Sequence, residues 1–234
     1  MLLFSFSSLV LFSQDQNDDD DDDDGFPAIQ TSNDVGHKNY YVFSPRVNVT
    51  VPHPIADKSF KKCFVGIYEV NGSLNIMLYK GLFIGGSYKN GLMQITEKKI
   101  PNYEASMEID NIAGKIGGDF YVGEKNRIVF SSALSYGQNL THYYGLVAKD
   151  PHKVVSNTSF KCTFLEPEFN LYFLVEANFG VGVTITYTVY DHTFDPYELS
   201  LNDWAGFDNP STGSTENLSF GFSFYYSFLK KKHQ

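Results

Sequence analysis

Apolar and polar residues alternate along much of the chain with a period of two, the repeat of a β-strand whose two faces meet different surroundings. Val181, Val183, Ile185, Tyr187 and Val189 take one set of positions, and Gly182, Thr184, Thr186, Thr188 and Tyr190 take the other. Phe220, Phe222, Phe224, Tyr226 and Phe228 form a second comb, interleaved with Gly221, Ser223, Tyr225 and Ser227. Each pattern predicts a half-buried strand, with the aromatic comb turned toward a core. The Asn71-Gly72 and Asn90-Gly91 pairs tolerate the positive φ angles of a type I′ turn. They predict tight hairpins joining 64–70 to 74–80 and 82–88 to 92–98. Residues 123–126 predict a further turn between 117–122 and 127–134. No segment shows a convincing 3.6-residue period, so the expected fold is all-β.

The chain also resembles itself. Pro52, His53 and Cys63 return 99 positions later as Pro151, His152 and Cys162, each triplet preceded by a Tyr pair, Tyr40-Tyr41 and Tyr143-Tyr144. Tyr103-Glu104-Ala105-Ser106 is echoed by Tyr197-Glu198-Leu199-Ser200 in the same order. These landmarks predict a tandem duplication, with about six strands per copy packed as two antiparallel β-sandwich or jelly-roll modules. The modules span 37–137 and 138–229, after a 1–13 signal peptide and an acidic segment at 14–36, and before a basic tail at 230–234. An outer-membrane barrel shares the alternation. Strands read as short, sequons that suit a secretory route, and a last aromatic strand followed by Lys230 to Gln234 favour the sandwiches.

Charge changes little once it is located. The net value of −9 over 234 residues is concentrated at the start, where Asp15 and the run Asp18 to Asp24 hold eight of the 27 acids. The remaining 19 acids face 18 bases, so no clustered positive field marks a nucleic-acid surface. Asp20, Asp22, Asp24 and Gly25 imitate the opening of a calcium loop. The closing position would be Thr31 rather than a bidentate Glu, so the run reads as a solvated tract.

Residues 1–13 are too few to span a bilayer as a helix, and no later segment reaches 18 apolar residues. Five N-x-S/T sites, at Asn48, Asn71, Asn139, Asn157 and Asn217, predict an N-glycosylated protein released outside the cell, with no transmembrane span.

Motifs for nucleophilic, phosphate, dinucleotide and metal chemistry are absent, and no cofactor or metal is expected. Cys63 and Cys162 are either a disulfide or two separate thiols. The expected function is therefore non-catalytic extracellular binding or structural support, with a glycan or protein partner met through loops or a sheet face. The 191–216 segment is the candidate ligand loop, since Trp204 beside Asp203 and Asp208 offers an aromatic face next to carboxylates. The competing expectation is a secreted hydrolase using carboxylates such as Asp203 and Glu198.

In outline, tandem all-β modules with closing strands near 126–132 and 217–223 look like CUB-like secreted proteins. That resemblance implies jelly-roll domains that mediate extracellular binding. The paired cysteines usual in CUB domains are missing, with one Cys in each copy.

Overall fold

The computed structural model describes residues 41–56, 58–95, 103–123, 126–147, 150–176, 178–201 and 213–229. Eight long strands follow one another in space as in sequence: β1 (Tyr41–Pro54), β2 (Phe64–Tyr79), β3 (Leu82–Ile95), β4 (Tyr103–Val122), β5 (Ile128–Val147), β6 (Asp150–Glu176), β7 (Phe179–Tyr190) and β8 (Thr215–Tyr226). Every consecutive pair is antiparallel, and β1 pairs with both β2 and β8, so the sheet closes on itself. This is a single eight-stranded up-and-down barrel. A two-residue strand, β9 (Phe228–Leu229), adds to β1 beside Tyr41 and Phe43. A short helix, α1 (Lys58–Cys63), crosses from β1 to β2, and a 3-10 turn, Pro196–Leu199, lies in the β7–β8 connection.

The two-sandwich expectation is overturned. The boundary placed between 137 and 138 falls in the middle of β5, whose pairing with β4 runs without a break from Val147 to Ile128. Nor do the repeat landmarks superpose. Tyr103 opens a strand while Tyr197 sits in the 3-10 turn, and Cys63 ends a helix while Cys162 lies within β6.

The hairpin expectation fails in an instructive way. Asn71-Gly72 and Asn90-Gly91 lie inside β2 and β3, and Gly72 pairs with both Val47 and Tyr88. The actual turn is at Lys80 and Gly81, both at positive φ (41° and 96°). The turn expected at 123–126 is present, with Gly123 at φ 89° and Asn126 donating its N–H to the Gly123 carbonyl. Strands are also longer than expected, reaching 20 residues in β4 and 27 in β6.

The up-and-down order gives the barrel two distinct ends. One carries the tight turns after β2, β4 and β6 together with Tyr41 and the β8–β9 terminus. The other carries α1 and the longer β3–β4 and β7–β8 connections.

Candidate functional site

The outer wall is apolar over a broad belt. On β4 the outward positions are Ile112, Gly114, Ile116, Gly118, Phe120 and Val122, with Ile112 67%, Ile116 61% and Phe120 63% exposed. From Ile112 to Val122 the strand rises about 33 Å, which at a tilt near 40° is about 25 Å along the barrel axis. That is the height of the lipid-facing band of a membrane barrel. The aromatic comb belongs to this belt: Phe220, Phe222, Phe224, Tyr226 and Phe228 are 37 to 68% exposed and point outward, against the expectation that they fill a core. Tyr68, Tyr88 and Tyr187 stand at its upper margin. Their hydroxyls donate to Asn90, to Asp110 Oδ1 at 2.6 Å and to the Glu216 carboxylate. Such rings suit the boundary between hydrocarbon and water.

The interior of the same belt is polar and charged. Arg46 Nη2 meets Asp119 Oδ2 at 2.5 Å, and Lys115 Nζ meets Glu168 Oε2 at 2.8 Å. Lys89 pairs with Glu166 and lies 3.7 Å from Glu69. Neutral groups complete these pairs. Arg46 also donates to Ser131 and Tyr41 and lies over the Phe83 ring, Thr188 donates to Glu166, and Thr50 donates to Glu69. All seven charged side chains are between 0 and 5% exposed. A water-filled channel would bare the charges lining it, so this lumen is filled by side chains. Buried charges of this kind persist only when paired, because desolvating a lone ion costs several kcal/mol.

Apolar clusters close both ends. Toward the long loops, Phe60 and Cys63 of α1 and Phe194, Leu199 and Leu201 of the β7–β8 connection pack on Phe64, Met93, Met107, Ile109 and Tyr143. At the tight-turn end Tyr41, Val129, Tyr172 and Tyr225 form a smaller cluster.

Strand β4 shows the change of surroundings most directly. Between Tyr103 and Asp110 the inward residues are apolar and the outward ones are polar: Glu104, Ser106, Glu108 and Asp110. From Asn111 onward Asn111, Lys115 and Asp119 point in with the small Ala113, while Ile112, Ile116, Phe120 and Val122 point out. No register shift interrupts either ladder of β4 at this point. The strand continues unbroken while the polarity of its two faces is exchanged.

The residues singled out from sequence are scattered. Trp204, Asp203 and Asp208 lie outside the described residues, as do the 1–13 segment and the acidic run. Glu198, the other suggested carboxylate, has Oε2 3.6 Å from His192 Nε2, whose ring stacks on Phe160. No bond joins the Cys63 and Cys162 sulfurs. The half-buried Cys162 thiol donates to Asn139 Oδ1 at 3.4 Å.

Four of the five sequon asparagines, Asn48, Asn71, Asn139 and Asn217, are 0 to 6% exposed inside the barrel, where a glycan has no room. Of the five only Asn157 is exposed. A strand with a polar inner face writes N-x-S/T whenever Asn precedes Ser or Thr by one pleat, as in Asn48-Val49-Thr50 and Asn139-Leu140-Thr141. The pattern taken as an address for glycosylation is the lining of a lumen, and the glycoprotein expectation falls with it.

The lumen charges were missed altogether. Their signal was present, since Glu69, Asn71, Ser73 and Asn75 alternate with Val70, Gly72, Leu74 and Ile76. Alternation does not say which face is inside.

No family model matches this chain, and no curated protein matches it. Solved structures do. Neisserial surface protein A is similar over 80% of this chain and 97% of its own, with a TM-score of 0.50 and 8% identity. The outer membrane protein OprG from Pseudomonas aeruginosa (82% and 99% covered, TM-score 0.46, 10% identity) and the outer membrane protease OmpT from Escherichia coli (80% and 94%, 0.37, 9%) are more distant. At such identity the likeness to the neisserial protein is one of fold alone, and it corrects both the sandwich assignment and the CUB-like alternative. The outward belt likewise corrects the freely released protein without a membrane span and with an extracellular glycan or protein partner. A shared fold decides neither for nor against catalysis.

Proposed function

We propose that this chain is a membrane-spanning β-barrel with a closed lumen, a rigid anchor that holds its long-loop end above one face of the bilayer. The inversion along β4 carries the reading, because an apolar outer belt about 25 Å tall around a charged interior is stable only where the outer medium is hydrocarbon. In water the same wall would expose a continuous greasy surface far larger than soluble monomers tolerate. The paired, buried lumen charges support an anchor rather than a diffusion pore. We assign the barrel no reaction, since its charged interior groups are held in ion pairs sealed from either end.

The test is reconstitution of the full chain into phosphatidylcholine vesicles. The protein should float with the vesicles, resist alkaline extraction and give no steady unitary conductance in planar bilayers. A monodisperse protein that stays soluble without detergent, or an open channel, contradicts the reading.

A further inference from the structure

A cavity of about 430 Å³ opens at the long-loop rim of the wall, bounded by Gln94 on β3, Glu104 and Ser106 on β4, and Tyr144 on β5, with Ile95 and Leu146 beside them. The register brings these residues together. Gln94 is opposite Ser106, Ser106 is opposite Tyr144, and Glu104 is opposite Leu146. Directly opposed side chains stand about 5 Å apart, so the carboxylate, the amide and the hydroxyl are all within reach of one small ligand. Among the described residues, none of these four polar side chains spends a hydrogen bond on a neighbour.

The chemistry of the set is specific. Glu104 offers a carboxylate, Gln94 an amide oxygen and Ser106 a hydroxyl oxygen, which makes three acceptors. An alkylammonium group has three donors and one positive charge. The Tyr144 ring and Leu146 supply an apolar wall for a carbon stem, and an ammonium group is also attracted to an aromatic face. Below the cavity, Glu108 and Asp110 face outward on the same strand and deepen a negative field that repels anions.

We propose that the rim cavity binds a primary ammonium group carried on a short apolar stem. A free amine in solution presents that chemistry; eight residues along the tilted strand place Glu104 about 20 Å above Ile112, beyond the reach of lipid head groups. Flotation of the full chain with vesicles, measured separately, reports the membrane reading, and the titration reports the cavity.

The experiment is calorimetric titration of n-butylammonium into the full chain held in phosphatidylcholine nanodiscs. Saturable binding is expected, weakened about tenfold by Glu104→Gln, the loss of one charge-assisted hydrogen bond. Glu176→Gln, at the opposite end of the barrel, should bind as the parent does. The proposal is overturned by the absence of saturable binding, by n-butyltrimethylammonium binding as tightly as n-butylammonium, or by Glu104→Gln leaving the affinity unchanged.

Discussion

The two halves of β4 have the same backbone, the same pairing partners and nearly the same alternation, yet their faces are exchanged. Between Tyr103 and Ile109 the wall hides Tyr103, Met107 and Ile109 and shows acids to the outside. Between Asn111 and Val122 it hides Lys115 and Asp119 and shows Ile112, Ile116 and Phe120. Strand propensity cannot account for this, since both halves are equally regular. On the proposed membrane reading, what differs is the solvent on either side of the wall: water outside and an apolar plug inside for the upper half, hydrocarbon outside and a polar lumen for the lower.

The strongest way to break that contrast is to leave a lumen charge alone. Arg46→Met strips Asp119 of its ion pair and should cost about 3–5 kcal/mol in denaturant unfolding of the reconstituted protein. A loss below about 1 kcal/mol would mean that the lumen is wet enough to solvate a carboxylate.

On the outer face, a new Arg should be costly in one half and nearly neutral in the other. Ile116→Arg should destabilise by about 2–4 kcal/mol because it sets a guanidinium in the belt, whereas Glu108→Arg should stay within about 0.5 kcal/mol. Equal effects in the same unfolding assay would erase the distinction between the halves.

Smaller still is the boundary itself. Tyr88→Phe removes an exposed hydroxyl bonded to Asp110 and should cost about 0.5–1 kcal/mol. A cost of several kcal/mol would place Tyr88 inside the belt rather than at its edge.

The last prediction concerns reactivity rather than stability. Cys162 is half-buried on β6, and its thiol donates to Asn139 Oδ1 at 3.4 Å. Alkylation of the folded protein at Cys162 should therefore be slower than that of a free peptide thiol at the same pH. An equal rate would contradict the burial assigned to it.

Much of the local structure was legible in the sequence. The alternation in 181–190 and 220–228 announced strands, and Gly123 with Asn126 announced a turn. The topology was not legible, because a period of two is symmetric: it separates two faces without naming the wet one. Reading Phe220 to Phe228 as core followed from assuming water outside. The Asn-Gly pairs misled for a related reason, since Asn71 serves as lumen lining and Gly72 as a small outward residue. The sequons misled in the same way. The one sequence feature that distinguishes the surroundings is the phase flip on β4, where apolar residues move from odd positions through Ile109 to even positions from Ile112, with no Gly, Pro or bulge between them. A flip without a break in the strand means that the medium has changed. The candidate loop at Trp204 lies outside the described residues, and the rim cavity was not legible because its members come from three strands.

The central claim is tested most directly by spin labels placed one at a time at positions 104, 108, 112, 116 and 120 on β4. The chain would carry Ala at positions 63 and 162 and be reconstituted in vesicles. Collision with a water-soluble nickel chelate and with oxygen would then be measured at each site. The account predicts high nickel and low oxygen accessibility at 104 and 108, and the reverse at 112, 116 and 120. Uniform nickel accessibility along all five positions would contradict it.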